Sequence, residues 1–468
     1  MNPHTPDALT RRELLLAATA AAAGTVPFAG CATTSPPSLE LRPPIVFVHG
    51  NGDNAAVWTT TIWRFETNGW PRERLSAIDL PYPTARNEDD KEQPGRTSIA
   101  EFTAALAAEV KRVQVATGAP KVVLVGLSRG GYAIRNFVAR GGAGQVSHAI
   151  LGGVPNHGVW ANRIFLPGSE FNGQGPFLTR LNAPQGAEGL EVTPGVKWLT
   201  LRSDNSDKYA QPDGLWIGQR GVATNISFDG PALKGAQNVV IAGIDHRETA
   251  LGAKAFVEMW RFLTGQPPET LEIAPETRVV LDGKLSGLGL DNRDGSFASN
   301  LPLVGATLEI YATHAASGER LGPALHARTI GADGRWGPFT TGPDVRHEFV
   351  ISAPGYAITH VYRSPFPRSS QVVSLRAERL AEADRGAGAV IAMSRPRGYF
   401  GVPRDRIVLD GTSPPAGIPQ GVAGVSETRL RLAEATARPI AGEFNEERIV
   451  GRVWPAAANH VTLLELTT

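Results

Sequence analysis

The 468-residue chain contains a single cysteine, Cys31, and only three methionines. One cysteine excludes an intramolecular disulfide, so the fold relies on non-covalent packing. Charge of one sign is also missing. Lys and Arg total 46 against 45 Asp and Glu, so no net positive field exists to gather nucleic acid, and any attraction to lipid must be mostly apolar. No grouping of His, Cys and carboxylate has metal-ligand spacing, so neither a metal nor another cofactor is expected. No fixed-period repeat is present. What the chain has in quantity is glycine (52) and proline (36), with 42% hydrophobic and 19% charged residues. That is an ordinary globular balance at a length that calls for two or three domains, with many turns and short strands.

The N-terminal residues read as an export leader. Thr10-Arg11-Arg12-Glu13-Leu14-Leu15-Leu16 joins two arginines to an apolar run, Leu14 to Ala23, that is too short to cross a bilayer permanently. This is similar to a twin-arginine signal. Small residues lead into Phe28-Ala29-Gly30-Cys31, which resembles a lipobox with Cys31 as the lipidated residue. Phe28 departs from the aliphatic residue usual there, and the alternative is an ordinary cleaved signal with an incidental cysteine. The expected division is a leader over 1–30, a tether over 31–43, and a mature protein at the cell envelope or secreted.

From Pro44 to about Thr264, short β-rich apolar runs alternate with helical segments, which predicts a mostly parallel sheet covered on both faces. The runs are Ile45 to Val48, Leu75 to Leu80, Lys121 to Val125, Ser147 to Leu151, Val196 to Leu201 and Asn238 to Ala242. Helical spacing marks Ile99 to Thr117, Arg129 to Arg140 and Glu248 to Leu263. Residues 155–193 form a Gly-, Pro- and Asn-rich insertion of lid-like length that carries Trp160, Phe165, Phe171 and Phe177. After Pro267-Pro268 the helical periodicity stops. A β-sandwich over 267–380 and a second β-rich unit over 381–468 are expected, with helix-favouring composition at Arg376 to Arg385.

The chemistry centres on Val122-Val123-Leu124-Val125-Gly126-Leu127-Ser128-Arg129-Gly130-Gly131. A β-branched strand runs into G-x-S-x-G and then a helix, the context in which a tight turn thrusts a nucleophilic serine clear of the sheet. Upstream, Ile45 to Val48 enters His49-Gly50-Asn51-Gly52-Asp53. Such a loop supplies an oxyanion donor, and the amides of Asn51 and Arg129 are assigned that role; His49 reads as a brace for the loop. Downstream, Asp245-His246 follows the last strand, and His246 is the candidate general base. The acid lies in Arg202-Ser203-Asp204-Asn205-Ser206-Asp207, with Asp207 favoured and Asp204 as the alternative. Asp245 is read as a helix cap. His157, out of chain order for the base, is expected to line the substrate pocket together with Trp160 and Leu127.

These motifs together resemble the class 2 bacterial lipases of the α/β-hydrolase superfamily, in particular two-domain members with a C-terminal β-rich lipid-binding domain. The likeness extends to Gly331-Ala332-Asp333-Gly334-Arg335-Trp336 and Arg397-Gly398-Tyr399-Phe400. It implies hydrolysis of carboxylic esters, commonly acylglycerols, through an acyl-enzyme. Many members carry His where this chain has Leu127. A lipid or other apolar ester is the expected substrate, with peripheral or lipid-anchored membrane association. A polyester depolymerase and a noncatalytic surface-binding lipoprotein are the competing readings, and the C-terminal aromatics Tyr356, Tyr362, Phe366, Tyr399 and Phe400 fit either core or contact surface.

Overall fold

The computed structural model describes residues 42–217, 219–288 and 298–468. The leader, Cys31 and nearly all of the tether lie outside the described residues. Six parallel strands form the first sheet: β1 (Ile45–Val48), β2 (Leu75–Ala77), β3 (Val122–Leu127), β4 (Val146–Gly152), β5 (Lys197–Ser203) and β6 (Gln237–Ile241), in the order β2-β1-β3-β4-β5-β6. Helices α1 (Thr59–Thr67), α2 (Ile99–Thr117), α3 (Arg129–Ala139), α4 (Pro176–Leu181), α5 (Glu248–Leu251) and α6 (Ala253–Thr264) accompany it.

The alternation of side chains along each strand divides the core in two. Val46, Val48, Val122, Leu124 and Leu151 face α2 and α3 through Phe102, Leu106 and Ile134. Ile45, Phe47, Val123, Val125 and Leu127 face the other way, onto Phe65, Phe256 and Trp260. Both faces of β1 and β3 are therefore dry, which is why these strands read as continuous apolar runs. α2 begins on a capping box between Ser98 and Glu101 and ends at Gly118, whose φ of 66° is the left-handed conformation that glycine adopts without strain.

The closing helix expected over Glu248 to Leu263 is interrupted. Gly252 is extended (φ −78°, ψ 156°) and separates α5 from α6; glycine in a helix interior costs about 1 kcal/mol relative to alanine, so this is where the helix yields. The helix-favouring stretch Arg376 to Arg385 is instead a strand, Leu375–Ala377, followed by a 3₁₀ turn, Glu382–Asp384. Leu375 and Ala377 alternate into the C-terminal core, so burial overrides local propensity.

The C-terminal half is built on one seven-stranded sheet. Its order is His326–Thr329, Thr307–Ala312, His347–Ser352, Ile358–Arg363, His460–Glu465, Ala389–Ser394, Glu427–Leu432. His460–Glu465 lies parallel to both of its neighbours. The stretches 267–380 and 381–468 consequently share a sheet. Two cores cover its faces, one around Trp336, Phe349 and Phe366, the other around Phe400, Phe444 and Leu464. Tyr356, Tyr362, Phe366, Tyr399 and Phe400 are all buried. No helix among the described residues is long and apolar enough to cross a membrane.

Candidate active site

β3 delivers Ser128 at a sharp turn into α3. Its φ of 50° and ψ of −121° are strained for a non-glycine residue, and strain of this kind costs on the order of 1–3 kcal/mol. The turn closes only because its neighbours lack side chains. A Cβ on Gly130 would lie 2.4 Å from the Val48 carbonyl oxygen, and one on Gly126 would lie 2.7 Å from Ile134. The Ser128 amide donates to the Gly152 carbonyl at 2.8 Å, and Gly131 donates to the Ser128 carbonyl at 2.9 Å. The elbow is thus pinned from the sheet side.

His246 and Asp207 meet behind it. The Nδ1–H of His246 donates to the Asp207 carboxylate, with both oxygens at 2.9 Å. This leaves Nε2 as the basic nitrogen, buried and without a protein partner among the described residues. Tyr209 lies edge-on to the imidazole, ring centroids 4.6 Å apart, and its amide donates to Asp207 Oδ1 at 2.8 Å. Asp204 does other work: it accepts from the Ser206 amide at 3.1 Å and the Gly243 amide at 3.1 Å, tying the turn after β5 to the turn after β6. The structure therefore brings Asp207, not Asp204, to His246.

Ser128 and His246 open onto one cleft of about 240 Å³ whose walls include Asn51, Val159, Trp160, Phe171, Trp216 and Tyr399. The Arg129 amide, first in α3, has no carbonyl within its own helix to bond. Neither it nor the Asn51 amide has a protein acceptor among the described residues, while Asn51 Oδ1 fixes its loop by accepting from the Ala85 amide at 2.7 Å. His49 braces the same loop. Its Nδ1–H donates to the Gly50 carbonyl at 2.8 Å, its Nε2 accepts from the Leu80 amide at 3.2 Å, and burial pushes its pKa down and keeps it neutral.

The three residues expected to line the pocket take different places. Leu127 does not reach the cleft: the strand alternation that turns Val123 and Val125 onto the Phe256 layer turns Leu127 there too. His157 lines a cavity of about 260 Å³ that also reaches Asp207, Tyr209 and His246, and its Nε2 lies 3.1 Å from Glu191. Trp160 lines the cleft that holds Ser128.

The insertion is anchored at a position the sequence did not reveal. Arg129 and Glu170 are both fully buried and paired, Nε to Oε1 at 2.6 Å. Arg129 also donates to the Pro83 carbonyl at 3.0 Å. Burial raises the Glu170 carboxyl above its usual range although Arg129 opposes the shift. Glu170→Ala leaves a buried guanidinium without its bidentate partner. A loss of about 3–5 kcal/mol is expected in urea unfolding, and a loss below 1 kcal/mol would show that water replaces the carboxylate. Phe177, Leu178 and Leu181 from the same insertion join the α2/α3 core, so its second half is core and its first half, through Val159, Trp160 and Phe171, is cleft wall.

A parallel sheet with a strained serine elbow, and a histidine and carboxylate delivered after later strands, defines the α/β-hydrolase architecture. Residues 42–161 match the model of the class 2 lipases, and residues 277–380 match that of the lipase C-terminal domain. Residues 42–161 are thus similar to a class 2 lipase domain and residues 277–380 to a lipase C-terminal domain. Solved structures that resemble part of it include a Bacillus licheniformis lipase in mature form (22% identity, TM-score 0.34, covering 48% of this chain and 92% of that one). Aspergillus fumigatus lipase B is 17% identical with a TM-score of 0.32, over 49% of this chain and 54% of that one. A Bacillus subtilis carboxylesterase is 16% identical with a TM-score of 0.27, over 48% and 85%. This chain spans about half the length of the Aspergillus lipase. No curated protein matches it. Among the described residues, no group of three or more His, Cys, Asp or Glu could hold a metal ion.

Proposed function

We propose that the chain is an exported lipase or carboxylesterase that cleaves acylglycerol-type or other apolar esters through an acyl-enzyme on Ser128. The observation that carries the reading is His246: Nδ1 held 2.9 Å from Asp207, and Nε2 buried and unpartnered in the cleft that also holds Ser128. In this reading Nε2 takes the Ser128 proton as Oγ attacks the ester carbonyl. The amides of Asn51 and Arg129 receive the oxyanion, and the proton then passes to the departing alcohol. Water repeats the sequence on the acyl-enzyme and regenerates the serine. Val159, Trp160, Phe171 and Ile217 supply an apolar wall for the acyl group, which supports a substrate with a hydrocarbon acyl chain over one with a charged acid portion.

Export through the Arg11-Arg12 leader and a lipid anchor on Cys31 complete the proposal, giving an envelope enzyme that meets its substrate at a lipid surface. Treatment with a p-nitrophenyl alkylphosphonate, followed by peptide mass spectrometry, tests the mechanism. Stoichiometric labelling of Ser128 with parallel loss of esterase activity is expected. Labelling of another serine, or full activity after Ser128 is modified, would sink it.

A further inference from the structure

The turn that carries His246 is not held by its own domain alone. Asp245, immediately before it, is completely buried. Its Oδ1 accepts from the amides of Arg247 at 2.9 Å and Glu248 at 3.0 Å, which caps α5. Its Oδ2 belongs to the C-terminal half: Arg395 Nη1 at 2.7 Å, the Tyr399 amide at 2.8 Å and Arg404 Nη2 at 3.3 Å. Glu248 extends the cluster, with Arg395 Nη2 at 2.5 Å and Arg404 Nη1 at 3.0 Å. A buried carboxylate beside a partly exposed one is repelled by it and poorly solvated; the two guanidiniums from residues 395–404 are what make the arrangement tolerable. Burial alone would raise the Asp245 carboxyl, and Arg395 with Arg404 brings it below the usual carboxylate range.

The Asp207 loop is gripped from the same side. Lys208 Nζ donates to the Gly424 carbonyl at 2.9 Å and sits 3.9 Å from the centre of the Tyr399 ring. Trp216 closes on Gly424, where a Cβ would lie 1.9 Å from the indole. The Ser128 elbow, by contrast, is fixed entirely by catalytic-domain contacts. The C-terminal half therefore touches the base and acid loops and leaves the nucleophile's turn alone.

We propose that Arg395 and Arg404 are positioning residues for His246, and that the C-terminal half is a component of the catalytic centre as well as whatever surface it offers to lipid. This rests on Ser128 and His246 acting as nucleophile and base. Because a displacement of about 1 Å in a catalytic group costs on the order of 10²-fold in rate, loosening the His246 turn should appear in kcat while the apolar cleft wall keeps KM.

Full-length Arg395→Met and Arg395→Lys, with Arg404→Gln and Arg404→Lys as a milder pair at a partly exposed position, are assayed on p-nitrophenyl butyrate. Rates are taken per folded molecule, from near-ultraviolet circular dichroism. The expected result is a fall in kcat of about 10²-fold in Arg395→Met, an unchanged KM, and substantial recovery in Arg395→Lys, which keeps the cation. If Arg395→Met does not fold, the Arg404 pair is read the same way with a smaller fall. An unchanged kcat, a change confined to KM, or equal losses in the lysine and neutral variants overturns the proposal. Ser128→Ala assayed alongside separates the two readings: an active Ser128→Ala removes the catalytic assignment, whereas an inactive one with a fully active Arg395→Met removes only the positioning role.

Discussion

Ser128→Ala is expected to lower kcat on p-nitrophenyl esters by about 10⁶-fold, the scale seen when a nucleophile is removed from a serine–histidine–aspartate site. The residual rate should still exceed the solution reaction by about 10³-fold, since the oxyanion donors and the cleft remain. The substitution is a clean probe. The elbow is shaped by Gly126, Gly130 and the Gly152 carbonyl, and the serine hydroxyl makes no helix-capping bond. The backbone at φ 50° is as awkward for alanine as for serine, so the thermal midpoint should barely move. Retention of more than a thousandth of the activity, on rigorously purified protein, would mean that the hydrolysis occurs elsewhere.

Asp207→Asn should lower kcat by about 10⁴-fold, through the histidine rather than through loss of a substrate contact. The carboxylate accepts the Nδ1–H and balances the charge that forms on the ring. An amide at that place can present its NH₂ to Nδ1 and hold the ring in the opposite tautomer, with the proton on Nε2, where Ser128 requires a lone pair. Asp204→Asn is the paired control, expected to cost less than about tenfold because its amide oxygen can still accept from the Ser206 and Gly243 amides. Comparable losses at the two positions would mean that the turn as a whole, and not one carboxylate, orients the base.

The choice between these aspartates shows where sequence reading reaches its limit. The elbow was legible because its constraints are local: a strand, a glycine pair and a helix lie within ten residues. So was His246, placed by the order of strand and turn. Asp207 and Asp204 share one turn, and which side chain reaches back to the imidazole depends on the path of residues 204–210, set by contacts such as the Tyr209 amide on Asp207 and the Ser206 amide on Asp204. Leu127 packs into the Phe256 layer for a related reason. It stands next to the nucleophile in sequence, but the pleat turns the two side chains apart. Glu170, Arg395 and Arg404 had no local signal at all, since each acquires its meaning from a partner 41 to 159 positions away. The seven-stranded sheet was likewise hidden. Alternating strands announce themselves, but the insertion of His460–Glu465 between two earlier strands is a long-range pairing that no window of sequence contains.

That insertion bears on the order in which the molecule can be made. Residues 307–363 and 389–432 emerge from the ribosome before the strand that joins them, and until it arrives Ile358–Arg363 and Ala389–Ser394 each offer an open row of amides and carbonyls along one edge. Such edges invite pairing with a neighbouring chain. Without His460–Glu465 the C-terminal sheet has a gap through its middle, not a shortened end, so closure of this half waits on that strand.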